Sequence, residues 1–171
     1  MSKSPKEFVP LTVAVMTVSD SRDEHNDTSG NYLSEMVTAT GHHLAEQVIC
    51  ADNRYQIRAV VSRWIASEQV QVIIINGGTG FHVKNSAPEA LLPLFDRTID
   101  GFGELFRMIS FEEIDSSTLQ SRAVAGMANQ TLIFAVPGST GACRQAWERI
   151  ISPQIDATTA PCNFVSQLKK F

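Results

Sequence analysis

The residues with the clearest chemical potential lie between 73 and 92, IIINGGTGFHVKNSAPEALL. An apolar strand runs straight into Gly77, Gly78, Thr79 and Gly80, and a helix start follows a few residues later. Ser86 and Glu89 have the S-x-x-E spacing of a capping box, and Pro88 falls in the first turn, where a missing N–H costs nothing. A strand, a glycine loop and a helix N-terminus together suit an anion. Glycines let backbone N–H groups approach a phosphate, and the helix dipole favours negative charge. Asn85 stands where a catalytic loop would profit from a carboxylate. Asp20, Asp23, Asp27 and Asp52 are the carboxylates that, with Asn85, can reach a shared pocket. The competing roles are loop solvation and helix capping, and Asp52 or Asn53 is expected to cap a helix. An aspartate that follows a β-strand is also a natural Mg²⁺ holder.

Several familiar chemistries are excluded. No G-K-[S/T] follows the glycine loop, so it is not a phosphate-binding loop of the Walker type. Val83 stands at the third glycine of a dinucleotide fingerprint counted from Gly78, and Phe106 stands there for the GFG at 101–103. Ser139 lies in PGST, not in G-x-S-x-G, and no histidine follows His82, so a serine hydrolase triad in the usual order is absent. Cys50, Cys143 and Cys162 are odd in number and far apart, which fits reduced thiols better than a disulfide framework or a zinc site. The formal net charge is −4 and no basic cluster occurs, which argues against a nucleic-acid groove. The apolar run around Val72–Ile75 is far below the roughly 20 residues of a membrane helix. The N-terminal MSKSPKEFVP lacks the apolar segment of a signal peptide, and a cytoplasmic location is expected.

The elements that must position these residues follow from periodicity. At 171 residues and 43% hydrophobic content the chain suffices for one domain with a full core. Residues 11–18 (LTVAVMTV) and 70–75 read as strands buried on both faces. Residues 43–50 make another strand. Leu33, Met36 and Val37 recur at helical spacing before Gly41, and Ile57, Val60, Val61, Trp64 and Ile65 define a second helix. Further helices are expected at 87–95, with Pro93 ending or bending it, at 104–114, and after PGSTG (137–141) up to Pro153. Phe102, Phe106, Met108 and Phe111 are most simply core, although some could form an oligomer surface. Residues 124–128 and 131–136 flank Asn129-Gln130 as a hairpin. The expected fold is therefore a single-domain, doubly wound α/β protein. Its sheet is mostly parallel, with helices on both faces and an antiparallel edge hairpin. Residues 1–9 and 160–171 read as tails. Three junctions rich in Gly, Ser, Thr or Asp, Thr17–Gly30, Gly77–Glu89 and Pro137–Gly141, would share the carboxyl rim, where such sheets bind ligands.

Taken together, TVSDSRDEHNDTSG, INGGTGFHVKNSAPEA, DGFGELFR, LQSRAVAG and AVPGSTGAC resemble the MoaB/Mog family of molybdenum cofactor biosynthesis, from about Pro10 to Phe164. The closing PCNF resembles its MoaB branch. The resemblance implies an α/β domain that forms a trimer or a pair of trimers. It also implies Mg²⁺-ATP-dependent adenylylation of molybdopterin, in which a pterin phosphate attacks the α-phosphate of the nucleotide. The ligands it implies are molybdopterin and ATP or another purine nucleotide. The substrate-binding positions carried over are Ser19, Asp20, Ser29 and Gly30 in the first loop and Gly77, Gly78, Thr79 and Gly80 in the second. Ser121 and Arg122 form the S-R pair, whose basic member could face a phosphate, and Pro137, Gly138 and Ser139 form the last loop. Asp52 and Asn85 take the catalytic positions, with Asp52 as metal ligand. The family typically reads G-G-T-G-x-x-x-R-D-x-x-P, whereas this chain has Lys84 and Asn85. One carboxylate of two is missing, so adenylyl transfer is expected to be weakened or lost while pterin and phosphate binding persist.

Overall fold

The computed structural model describes residues 7–170. Six strands form one sheet in the order β2-β1-β3-β6-β5-β4: β1 Thr12–Val18, β2 His43–Cys50, β3 Val72–Asn76, β4 Arg97–Thr98, β5 Val124–Ala128 and β6 Thr131–Val136. β1 pairs in parallel with β2 and β3, and β3 with β6. β5 runs antiparallel to both β6 and β4. The expected doubly wound sheet with an antiparallel edge hairpin is therefore present. Asn129 and Gln130 both take positive φ, 45° and 58°, as a two-residue hairpin turn requires.

Period-2 alternation in the strands splits the core into two layers. Val13, Val15, Val72, Ile74, Leu132 and Phe134 face one side, and Ala14, Met16, Ile73, Ile75 and Ile133 the other. The first layer is covered by α1 (Thr28–Ala39), α4 (Asp100–Ile114) and α5 (Thr140–Ala146), the second by α2 (Arg54–Ala66) and α3 (Ala87–Leu91). Burial on both faces explains why β1 and β3 are almost wholly apolar. Beyond α5 the chain continues as a π-helical turn, Trp147–Ile151, and a last turn, Ser152–Gln154. The closing segment is tied to the body. Leu168 is buried, and Lys169 Nζ donates to the Ile65 and Ser67 carbonyls at 3.0 and 2.6 Å, at the end of α2. Residues 1–6 and 171, part of the expected tails, lie outside the described residues.

Several local expectations are refined or corrected. Of the two expected candidates, Asn53 rather than Asp52 caps α2, accepting from the Tyr55 and Gln56 N–H groups. The Ser86–Glu89 capping box does not form, because the Ser86 side chain makes no cap bond and its hydroxyl donates to Asp52 instead. The helix expected at 87–95 is α3 followed by a 3₁₀ turn, Leu92–Leu94, around Pro93. Helix α4 begins at Asp100, before its expected start. Its inner face buries Phe102, Phe106 and Ile109. Met108 and Phe111, for which core was the simplest expectation and an oligomer surface the alternative, are 60% and 55% exposed, because they lie on the face turned away from the sheet.

Candidate functional site

The chain passes from β1 out to β2 and then back across β1 to β3, so the direction of winding changes between β1 and β3. The carboxyl ends of such neighbouring strands open a crevice. The loops after β1, β3 and β6 meet there. Gly77 N–H donates to the Val136 carbonyl at 3.0 Å, Thr28 and Thr140 hydroxyls lie 3.2 Å apart, and a Cβ on Gly138 would stand 3.1 Å from Gly77 Cα. Gly77 and Gly78 take φ of +91° and +68°, and a Cβ on Gly77 would lie 2.2 Å from the Val18 carbonyl oxygen. Only glycine combines that backbone with that approach.

Asp52, just after β2, is the hub of the second loop. Its Oδ1 accepts from the Ser86 N–H at 2.9 Å and from the Ser86 hydroxyl at 2.7 Å. Its Oδ2 accepts from Asn85 Nδ2 at 3.1 Å. Its own N–H donates to Asp20 Oδ1 at 2.9 Å, which couples the first loop to the second. Asp20, Asp52, Asn53, Arg54, Tyr55, Val83, Lys84 and Ser86 line an open pocket of about 430 Å³. That volume suits a small phosphorylated ligand. A larger cavity, about 830 Å³, lies at the other end of the strands among residues such as Thr12, Ser67 and Lys169. It has neither glycine loop nor helix N-terminus to receive an anion, so we place the site on the carboxyl rim.

Arg122 works from beneath. Its Nε donates to the Gly80 carbonyl at 3.0 Å and its Nη2 to the Asn85 carbonyl at 2.8 Å, while Nη1 pairs with the Glu89 carboxylate. One guanidinium thus fastens both ends of the exposed 81–84 segment. Burial works to raise the Glu89 carboxyl, but hydrogen bonds from Arg122 and its own backbone, with the charges of Arg122 and Arg54, hold it below its usual range. Glu89 therefore stays ionised at neutral pH, and its pairing with Arg122 fades only in acid. The Thr79 hydroxyl is buried beside this brace with no partner among the described residues.

Other carried-over residues are engaged inside the protein. The Ser29 hydroxyl donates to Asn76 Oδ1 at 2.9 Å, and the Gly30 N–H donates to Asp27 Oδ1 at 3.0 Å. Asp27 is fully buried and also accepts from the Thr17 hydroxyl at 2.7 Å, so it does not reach the pocket. Asn76 Nδ2 closes this network on Thr17 Oγ1 and the Met16 carbonyl. Ser19 Oγ accepts from the Ser21 and Arg22 N–H groups, shaping the first loop. Ser139 caps α5 by accepting from Ala142 N–H at 3.2 Å, and Pro137 and Gly138 abut Gly77 without lining the pocket. Ser121 Oγ accepts from Ala123 N–H, a local turn contact. Asp23 is exposed and caps the turn at His25 and Asn26. Cys50 sits below Asp52, and burial, then the Asp52 and Asp20 charges, push its thiol up, which keeps it protonated and unreactive.

The sequence reading passed over Arg54, Tyr55, the bracing role of Arg122 and the Thr17–Asn76 network. The polar Asn76 at the end of an apolar strand was the available signal. Among the described residues no three His, Cys, Asp or Glu side chains converge on a metal position. With Asp52 already committed to three donors, the chain's own residues do not fit a resident Mg²⁺ ion.

A family model described as a probable molybdopterin binding domain matches residues 14–157. The molybdenum cofactor biosynthesis protein B of Escherichia coli (strain K12) is 62% identical over 170 residues, 99% of this chain and 100% of the relative. A crystal structure of molybdenum cofactor biosynthesis protein B superposes with a TM-score of 0.83 at 38% identity, over 90% of this chain and 94% of that one. The tungsten cofactor synthesizing protein MoaB from Pyrococcus furiosus gives 0.75 at 30% identity, over 84% and 91%. The chain belongs to the MoaB/Mog molybdenum cofactor biosynthesis family.

Proposed function

We propose that this protein binds molybdopterin and a purine nucleotide at the carboxyl rim, and that its adenylyl transfer step is weakened or lost. The observation that carries this reading is the 3.1 Å bond from Asn85 Nδ2 to Asp52 Oδ2. A neutral amide donates to the one remaining carboxylate where the family pattern would place a second carboxylate. Attack of one phosphate on another gathers negative charge and relies on a cation and fixed donors to offset it. The amide satisfies Asp52 without supplying that charge. The glycine loop, Lys84 and Arg54 still suit phosphate, so binding survives where the transfer suffers. The alternative is an active Mg²⁺-ATP-dependent molybdopterin adenylyltransferase, with the ion arriving on the nucleotide's phosphates. An assay with radiolabelled ATP and purified molybdopterin separates the two. We expect calorimetric binding of both ligands with little adenylylated product. Turnover at a rate of 1–100 per second, about that of efficient phosphoryl-transfer enzymes, would establish the alternative.

We propose also that the domain self-associates as a trimer or a pair of trimers through α4. Leu105, Met108, Phe111 and Ile114 are 39%, 60%, 55% and 48% exposed along one face of that helix, and Leu119 beyond it is 79% exposed. So much apolar surface on one element marks an interaction site. Light scattering is expected to give a trimer or hexamer for the wild type and a smaller species for Met108→Glu/Phe111→Glu. A monomeric wild type at micromolar concentration would remove this reading.

A further inference from the structure

We infer that the pocket above Asp52 holds a planar nitrogen heteroaromatic ring, a nucleobase or a pterin, stacked on Tyr55. This rests on the proposed reading and names the subsite within it. Tyr55 opens α2 and is 71% exposed, and a single exposed aromatic is ordinary on a protein surface. Its setting is not. Tyr55 lines the pocket together with Asp20, Asp52, Lys84 and Ser86. The Arg58 guanidinium lies over it, 5.8 Å from the centroid. That guanidinium is itself pinned to α3, donating to the Ala90 carbonyl at 3.1 Å and to the Glu89 carbonyl at 2.6 Å. Asn53 accepts from the Tyr55 N–H at 2.9 Å and fixes the backbone that carries the ring. A tyrosine held this way loses little freedom when a ligand arrives.

A second apolar surface comes from the loop after β3. Val83 is 92% exposed yet lines the same pocket, and Arg122 ties both ends of its segment. An aromatic and an aliphatic side chain, with the Asp20 and Asp52 carboxylates and the Ser86 hydroxyl in the same lining, match a flat ring that carries N–H groups on its edge. Lys84 and Arg54 line the pocket as well and suit the phosphate attached to such a ring. A free phosphate would use the basic residues but gain nothing from Tyr55.

Isothermal calorimetry of the full chain, with ATP, GTP, a phosphorylated pterin and pyrophosphate as probes, tests the subsite in the wild type, Tyr55→Phe and Tyr55→Leu. Tyr55→Phe should bind all four as the wild type does. Tyr55→Leu should weaken a ring-bearing probe by about 5- to 100-fold, the range of base–aromatic stacking, and leave pyrophosphate unchanged. Loss confined to the nucleotides assigns the subsite to the base, and loss confined to the pterin assigns it to the pterin. Equal binding of every ring-bearing probe by wild type and Tyr55→Leu would overturn the subsite and leave the proposed function standing. A parallel loss of pyrophosphate affinity would also overturn it, by showing a general collapse of the pocket. No binding of any ring-bearing probe by the wild type would remove both readings. The melting temperature of Tyr55→Leu should match the wild type, since the side chain is largely in solvent.

Discussion

Gly78→Val is expected to abolish binding of molybdopterin and nucleotide while the domain stays folded. The backbone at Gly78 has φ +68°, in the left-handed region that a β-branched residue rarely enters. The strain there costs about 1–2 kcal/mol. Sterics add to it, because a Cβ would stand 2.8 Å from Val18 Cγ1, 3.2 Å from Ala87 Cβ and 3.4 Å from Asp52 Oδ2. Relief requires the loop to lift off β1, which pulls Asn85 and Ser86 away from Asp52. The anion-holding arrangement is lost with it. The damage stays on the rim, since neither core layer includes Gly78. The melting temperature should fall by about 2–8 °C for a domain of this size. Gly101→Ala serves as a control, because nothing lies within 4 Å of its Cβ position. Calorimetry that finds the wild-type affinity in a folded Gly78→Val variant would show that the ligand does not use this loop.

How far the sequence foretold this structure depended on where each residue finds its partner. Strands β1 and β3 were legible because burial on both faces leaves an unbroken apolar run. The hairpin was legible because two apolar runs flank a link of only two residues, Asn129 and Gln130. Helix α2 was legible from the spacing of Ile57, Val61 and Trp64. The capping box was read from local spacing and failed for a non-local reason. Ser86 gives its hydroxyl to Asp52, and Glu89 gives its carboxylate to Arg122. Both partners come from distant segments that no local pattern contains. The start of α4 was hidden by Gly101 and Gly103, which lower helix propensity. Gly103 is there for room, since a Cβ would meet the Ala123 carbonyl oxygen at 2.8 Å. The choice between core and oligomer surface stayed open for Met108 and Phe111 because α4 carries apolar residues on more than one face, and periodicity cannot say which of them the sheet takes. At the site, the composition of the three loops was enough to place them on one rim. The roles of their residues were not legible. Ser29 turns inward to Asn76 and Arg122 braces a loop from below, both through contacts that only the tertiary fold brings together, while Ser139 caps its own helix through a local bond from Ala142 N–H.

Asn85→Asp is expected to create or raise Mg²⁺-dependent adenylylation of molybdopterin. In the wild type the Asn85 amide donates to Asp52 Oδ2 at 3.1 Å. An aspartate there has no hydrogen to give, so two carboxylates would face each other at about the spacing at which both cannot ionise freely. Two escapes exist: one carboxylate takes a proton, or a hard cation enters and is shared between them. Mg²⁺ favours the second, and each outcome has its own signature. Without divalent ions the variant should melt below the wild type and recover as pH falls and one carboxylate protonates. With millimolar Mg²⁺ its melting temperature should rise, while that of the wild type, whose Asp52 is already satisfied, should not move. The chemistry follows the same change. A well-placed transition-state group is commonly worth about 10²–10³ in rate, so the gain should be plain in the radiolabelled assay. Asp52→Ala in the Asn85→Asp background should cancel both the Mg²⁺ stabilisation and the activity, because a lone carboxylate no longer holds the ion. A wild type that already turns over at full rate would make Asn85 harmless and restore the enzyme reading. A variant that takes up Mg²⁺ and both ligands yet transfers nothing would mean that a second group is missing, and would leave this chain as a binding member of its pathway.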